Sequence, residues 1–203
     1  MKRLLIWIGV FMGFGVSMTA APKTILFFGD SLTAGYGLSE SLAYPALIQA
    51  KLNQDYLDWK VINAGVSGDT TQTGLNRLAW ALRSKPDWVV VALGANDGLR
   101  GLPVAKMQHN LIEIIRQAQK SGAKVAFMGI RIPTNYGARY ESQFIAAIDA
   151  VAHETKVPYL PFFIQDVAAK KEFNQADGVH PNAAGQKRVA ARVYGFIKPL
   201  VTK

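Results

Sequence analysis

Ser31 stands at the end of an apolar run, Thr24-Ile25-Leu26-Phe27-Phe28-Gly29-Asp30-Ser31, and a second glycine, Gly35, follows shortly after. A hydroxyl delivered by a strand into a turn of small residues is a candidate nucleophile, although serine is common in turns and the tripeptide alone decides nothing. Its partners would be an imidazole and a carboxylate. Asp177-Gly178-Val179-His180-Pro181 supplies both, so that the carboxylate can accept the Nδ1 hydrogen and leave Nε2 to act as base. Pro181 disfavours helix at His180 and keeps its ring in the loop. Alone, Asp-x-x-His reads better as a helix-capping turn, with Asp177 or Asn182 bonding the first free amides. Beside a strand-end serine it becomes the parts list for acyl transfer. Ser31 attacks, His180 takes its proton and returns it to the leaving group, and Asp177 orients the ring. The developing oxyanion needs donors, and the chain offers the Ser31 backbone N–H, the Gly68 N–H in Ser67-Gly68-Asp69-Thr70, and the Asn96 side-chain amide in Gly94-Ala95-Asn96-Asp97.

These residues need a frame that brings them together, and the chain provides one by alternation. Residues 24–29, 59–65, 88–93 and 124–130 read as strands, and 157–161 as a weaker fifth strand limited by two prolines. Trp88-Val89-Val90-Val91-Ala92-Leu93 is unbroken and β-branched, which suits a central parallel strand buried on both faces. Helical spacing appears at 44–52, 72–83, 104–121, 138–154 and 182–197, with Met107, Leu111, Ile114, Ile115 and Ala118 forming one stripe and Phe144, Ile148 and Val151 another. Leu32 to Ala43 reads as a loop. The expected fold is α/β, a three-layer sandwich with a parallel five-stranded sheet and flavodoxin-like winding. Every glycine-rich turn then falls at the carboxyl ends of the strands, where function collects in such folds. Gly29 is expected to supply a backbone bend that presents Ser31.

The chain has 203 residues, half of them hydrophobic, enough for one domain, and no linker divides it. Lys2 and Arg3, an apolar run from Leu4 to Val16 and the small residues before Pro22 read as a secretory signal peptide at residues 1–20, cleaved after Ala20 or Ala21. That run is too short to span a membrane, which needs about 20 residues. A single domain over 21–203, periplasmic or secreted, without a stable membrane anchor after cleavage and monomeric, is the expectation. There is no cysteine, so neither a lipidated N-terminal Cys nor a disulfide is available. Without Lys2 and Arg3, 21 basic side chains face 14 acidic ones, but they are scattered, among them Arg77 and Arg100. A solvated surface fits this pattern, and a nucleic-acid partner does not.

The four blocks resemble the SGNH hydrolases, also called GDSL esterases. They are carried here by Gly29-Asp30-Ser31-Leu32, by Gly68, by Gly94-Ala95-Asn96-Asp97 and by Asp177-Gly178-Val179-His180-Pro181, in order along nearly all of the mature chain. The resemblance implies nucleophile Ser31, base His180, its partner Asp177, and oxyanion donors Ser31, Gly68 and Asn96. It also implies small-molecule acyl esters or thioesters as substrates. Ala95 stands where a sequence similar to this one has glycine, a small-for-small exchange beside Asn96 that puts only the loop's detail in question.

Other residues read more simply. Asp30 and Asp97 are expected to brace their turns, and His109 and His153 to lie on solvated helix faces. No His-x-x-x-His spacing supports a metal, Gly35-Tyr36-Gly37 lacks the third glycine of a dinucleotide fingerprint, and no Walker motif occurs, so no cofactor is expected. Leu99, Leu102, Ile132, Pro133 and Tyr136, with Tyr140, Phe162 and Phe163, offer an apolar surface for an acyl chain or else anchor their loops to the core. Two other readings stand beside the esterase: a carbohydrate O-acetyl esterase using the same triad, and a non-enzymatic binder of lipids or glycans. A binder has no need of a base, its orienting acid and oxyanion donors together.

Overall fold

The computed structural model describes residues 22–202, and the expected signal peptide lies outside them. Strands β1 (Lys23–Gly29), β2 (Trp59–Gly65), β3 (Trp88–Ala92), β4 (Lys124–Met128) and β5 (Tyr159–Leu160) alternate with helices along the chain. They pair in parallel in the order β2-β1-β3-β4-β5. This is the flavodoxin-like order. Winding turns one way from β1 to β2 and the other way from β3 onward, which opens a crevice at the carboxyl ends beside β1.

Layering follows from the apolar pattern. All five residues of β3 are buried, as a central parallel strand between two helix layers requires. Helices α2 (Tyr44–Gln54) and α7 (Ala183–Val201) pack on each other. Helix α3 (Thr71–Ala81) packs on α5 (Val104–Lys120), and α5 on α6 (Ala138–Thr155). Met107, Leu111, Ile114 and Ile115 of α5 are buried as their spacing predicts, each worth about 1.5–3 kcal/mol of transfer from water. In the other half of the core, Phe27 meets Tyr44 edge to face with ring centroids 5.4 Å apart.

Where the elements differ from expectation, tertiary contacts decide. The stretch expected as a loop after β1 opens with a single helical turn, α1 (Ser31–Ala34), and includes a 3₁₀ turn at Glu40–Leu42. Likewise the turn that begins at Gly94 forms a short helix, α4 (Ala95–Leu99). Helix α7 runs past Ile197 to Val201 with Pro199 inside it. The proline forfeits one helical hydrogen bond, but buried Ile197 and Val201 hold the last turn against the core.

Gly29 has a different role from the bend expected of it. It is absent from the positive-φ glycines and is flanked by Gly65 of β2 and Ala92 of β3. A Cβ there would come within 2.1 Å of Thr33 Oγ1 and 2.9 Å of the Ala92 carbonyl oxygen. The missing side chain is what lets α1 fold back directly over the strand ends.

Candidate active site

Ser31 is the first residue of α1, immediately beyond the end of β1, and is buried. Asp30 caps that helix, its carboxylate accepting the Leu32 N–H at 3.0 Å. Opposite, on the loop that leads into α7, Asp177 and His180 complete a line of side chains. Ser31 Oγ lies 2.9 Å from His180 Nε2, and His180 Nδ1 lies 2.8 Å from Asp177 Oδ2. The second Asp177 oxygen accepts the backbone N–H groups of Val179 at 2.9 Å and His180 at 3.0 Å. The His180 N–H, then its ring, then the Val179 N–H hold the Asp177 carboxyl down at about 2, so it is an anion at neutral pH. An ionised acceptor at Nδ1 favours the tautomer that carries its hydrogen there and presents Nε2 to the serine as base.

The turns after β2 and β3 close the other side. Asn96, in α4, donates one hydrogen of its amide to the Asp69 carbonyl at 2.9 Å, which leaves the second hydrogen for a ligand. Among the described residues neither the Ser31 nor the Gly68 backbone N–H has a hydrogen-bond acceptor. Asp97 is buried and accepts from both the Thr71 N–H at 2.8 Å and the Thr71 hydroxyl at 2.6 Å, joining the Gly68 turn to α4. Burial pushes its carboxyl up. Burial likewise raises Asp30 to about 7, offset in part by the Leu32 N–H and reinforced by the charges of Asp69 and Asp97. Both aspartates therefore brace turns. His109 and His153 are exposed on α5 and α6.

An apolar groove of about 340 Å³ opens beside this cluster. Leu99, Ile132 and Pro133 line it, together with Leu32, Ala95, Phe162, Ile164 and Val179. Leu32, Ala95 and Val179 are sequence neighbours of Ser31, Asn96 and His180, so the groove lies beside that cluster. Leu102 and Tyr136 lie outside the lining. The Tyr136 hydroxyl donates to the Leu99 carbonyl at 2.9 Å, and Tyr140 donates to that of Leu102 at 2.9 Å, so these side chains anchor the loop that carries Leu99. Phe163 is buried against Tyr44 instead of the groove.

Several contributors have no sequence signal of their own. Arg77, which composition assigns to the solvated surface, pairs with Asp69 and donates to the Gly29 carbonyl at 3.0 Å, tying the end of β1 to the Gly68 turn. Arg100 holds the Gly68 carbonyl at 2.9 Å. Gln186, buried in α7, accepts from the Tyr44 N–H at 2.9 Å and donates to the Leu32 carbonyl at 3.4 Å. A polar residue at a buried position of an amphipathic helix is the one hint that Gln186 leaves in the sequence.

Known proteins share this arrangement of chain. The chain is 42% identical over 187 residues to esterase TesA of Pseudomonas aeruginosa, covering 92% of this chain and 93% of that protein. It is 43% identical over 183 residues to the thioesterase 1/protease 1/lysophospholipase L1 of Escherichia coli, covering 90% of this chain and 86% of that protein. Among solved structures, the psychrotrophic esterase EstA from Pseudoalteromonas sp., inhibited by monoethylphosphonate, superposes with a TM-score of 0.85 at 38% identity, covering 89% of this chain and 100% of that one. The sequence pattern of the GDSL-like Lipase/Acylhydrolase family matches residues 27–188. With the pattern spanning β1 to α7 and such relatives along nine-tenths of its length, the chain belongs to the GDSL-like lipase/acylhydrolase family.

Proposed function

We propose that the protein is a serine hydrolase of carboxylic esters and thioesters that works through an acyl-enzyme on Ser31. The observation that carries this reading is the unbroken line Ser31 Oγ, His180 Nε2, His180 Nδ1, Asp177 Oδ2, with its two links of 2.9 and 2.8 Å. His180 Nε2 takes the hydroxyl proton as Ser31 Oγ bonds to the acyl carbon, and the carbonyl electrons move to oxygen. The N–H groups of Ser31 and Gly68 and the free Asn96 amide hydrogen meet that oxyanion. The carbonyl re-forms, the leaving alkoxide or thiolate takes the proton from the imidazolium, and the acyl group stays on Ser31. Water then attacks the acyl-enzyme, giving its proton to Nε2, and the reverse transfer frees the acid and regenerates the serine. Asp177 stays ionised throughout and stabilises the imidazolium formed in each half.

The groove supports an acyl chain of medium or greater length, since its walls are mostly aliphatic and aromatic and include Leu32, next in sequence to Ser31. The thioesterase and lysophospholipase names of the Escherichia coli relative point to thioesters and lysophospholipids as substrates of this chain as well. We further assign residues 1–20 as a secretory signal, which places the mature domain in the periplasm or outside the cell, where N-terminal sequencing of the exported protein would find Ala21 or Pro22 first.

The test is direct. A phosphonate ester should label Ser31 alone, and Ser31→Ala should lower kcat/KM on p-nitrophenyl esters by about 10³-fold or more, the scale seen when a triad member is removed. Rates from acetate to palmitate should rise with chain length up to the limit of the groove. A folded Ser31→Ala protein that hydrolyses these esters at the parent rate overturns the reading, and a preference for acetate would favour the carbohydrate esterase in its place.

A further inference from the structure

The Gly35-Tyr36-Gly37 segment fails as a dinucleotide motif, and the acyl-enzyme chemistry above makes no use of it. Its central residue nevertheless occupies a specific place. The ring of Tyr36 lies over the ring of His180, with centroids 4.6 Å apart and the planes inclined at 41°. It does so while 52% exposed, which for a large aromatic side chain means that burial is not what holds it there.

The backbone holds it instead, from both halves of the site. The Tyr36 N–H donates to the carbonyl of Ser31 at 3.1 Å, fixing it to the nucleophile turn. Its own carbonyl accepts from Gln175 Nε2 at 2.7 Å. Gln175 belongs to the histidine loop: its N–H donates to the His180 carbonyl at 2.8 Å, and its amide also reaches the Pro181 carbonyl at 3.2 Å. A side chain after Tyr36 would be strained at a φ of 77° and would displace the Gln175 amide, since a Cβ at Gly37 would stand 2.3 Å from Gln175 Oε1. One glutamine thus fastens the tyrosine backbone to the backbone of the base. Among the described residues the Tyr36 hydroxyl has no hydrogen-bond partner, so the ring face is the part in use.

We propose that Tyr36 is a positioning residue for His180, its ring face stabilising the imidazolium that forms when the Ser31 proton, and later the water proton, arrives at Nε2. Asp177 meets that cation at the ring edge, through Nδ1. Tyr36 meets it from the face, where an aromatic quadrupole attracts positive charge and where water would otherwise compete. The neutral imidazole gains little from the same contact, so the stabilisation appears in the barrier and not in substrate affinity. The idea rests on the acyl-enzyme reading, because only there does His180 become charged in both half-reactions.

Four variants on the full-length mature enzyme test it: Tyr36→Phe, Tyr36→Trp, Tyr36→Leu and Tyr36→Gln, with Ser31→Ala alongside. On a saturating p-nitrophenyl ester, Phe and Trp should keep kcat within about twofold of the parent, since both keep a ring face. Leu and Gln should lower kcat by about 3- to 30-fold with KM unchanged, the range expected for losing one such contact. Thermal midpoints should stay together, as the side chain is half exposed. A Leu or Gln variant with parental kcat, while Ser31→Ala is inactive, overturns the role of Tyr36 and leaves the acyl-enzyme standing. A rise in KM at constant kcat does the same by making the ring a substrate contact. Full activity in Ser31→Ala overturns both.

Discussion

Ser31 is buried and its turn is braced from the core, whereas His180 and Asp177 stand on an open loop, their side chains 20% and 40% exposed, and are held by that loop's own backbone. Behind the serine lie the Asp30 cap, the Thr33 hydroxyl against that of Tyr44 at 2.9 Å, the two bonds of Gln186, and Arg77 on the Gly29 carbonyl. Around the histidine most bonds are local: Asp177 to the amides of Val179 and His180, Gln175 to the His180 carbonyl, and an antiparallel bridge from Asn174 to Pro181, with Gln175 to the Tyr36 carbonyl as the long-range tie. Ser31 is thus placed by the same interactions that hold the domain together, and His180 chiefly by bonds within its own loop, which Gln175 fastens to the Tyr36 carbonyl. Changes on the serine side should cost activity and stability together. Changes on the histidine side should separate the two.

The strongest expected effect is on the histidine side. His180→Ala removes the base and should lower kcat by about 10³-fold, while the thermal midpoint stays at the parent value. Asp177→Asn should cost less than His180→Ala, since the neutral amide keeps an acceptor for the Val179 and His180 N–H groups but no longer stabilises the imidazolium. Steady-state rates with a calorimetric scan on each variant check both. A large fall in the midpoint for either would erase the contrast, because it would make the open loop part of the cooperative core.

On the serine side, Gln186→Leu should show the coupled loss. It strips an acceptor from the Tyr44 N–H and a donor from the Leu32 carbonyl, both buried, and an unsatisfied buried group costs about 1–3 kcal/mol. At about 2–4 °C per kcal/mol for a domain of this size the midpoint should fall measurably. Because Leu32 follows Ser31 directly, kcat should fall too. A variant that is less stable but fully active would show that Asp30 and Arg77 seat the turn without help from α7.

The same contrast explains what could be read from residues alone. The β-branched run of β3 and the stripe of α5 are local patterns that burial then honours, so the layers and the sheet follow from them. The three turns after β1, β2 and β3, with Ser31, Gly68 and Asn96, are marked by small and polar residues at the ends of apolar runs, and the Asp177 to His180 pair by its own spacing before α7. Helices α1 and α4 are too short to have a period and form because a cap or a neighbouring loop supports them. Arg77, Gln175 and Gln186 act across 48, 139 and 142 residues, on the carbonyls of Gly29 and Tyr36 and the N–H of Tyr44. Bonds between a side chain and a distant backbone leave no spacing to detect. The bend expected of Gly29 was misplaced for a related reason, since its close neighbours, Thr33 and Ala92, meet it only once the sheet is formed.

The substitution with the smallest effect on activity also sharpens the contrast, because it gives the buried side a pH dependence. Asp30 is held at about 7, chiefly by burial, against an ordinary value of 3.8. A carboxyl raised in this way binds its proton more tightly folded than unfolded, so its contribution is intact in acid, is lost as pH rises from about 4 to about 7, and is constant above that. Asn at this position cannot ionise and still offers Oδ1 to the Leu32 N–H. Asp30→Asn should therefore match the parent midpoint near pH 4, exceed it by a margin that grows through pH 7, and hold that margin at pH 8, with activity retained within about tenfold, since the residue braces and does not react. Asp177 pulls in the opposite sense and in a different window: its carboxyl is held at about 2, so what it contributes is present above about pH 4 and is lost below it. Thermal scans of parent and variant at pH 4, 6 and 8 decide the matter. A margin that does not change over that range would mean that Asp30 is ionised in place, and that the buried turn tolerates its charge as readily as the open loop tolerates that of Asp177.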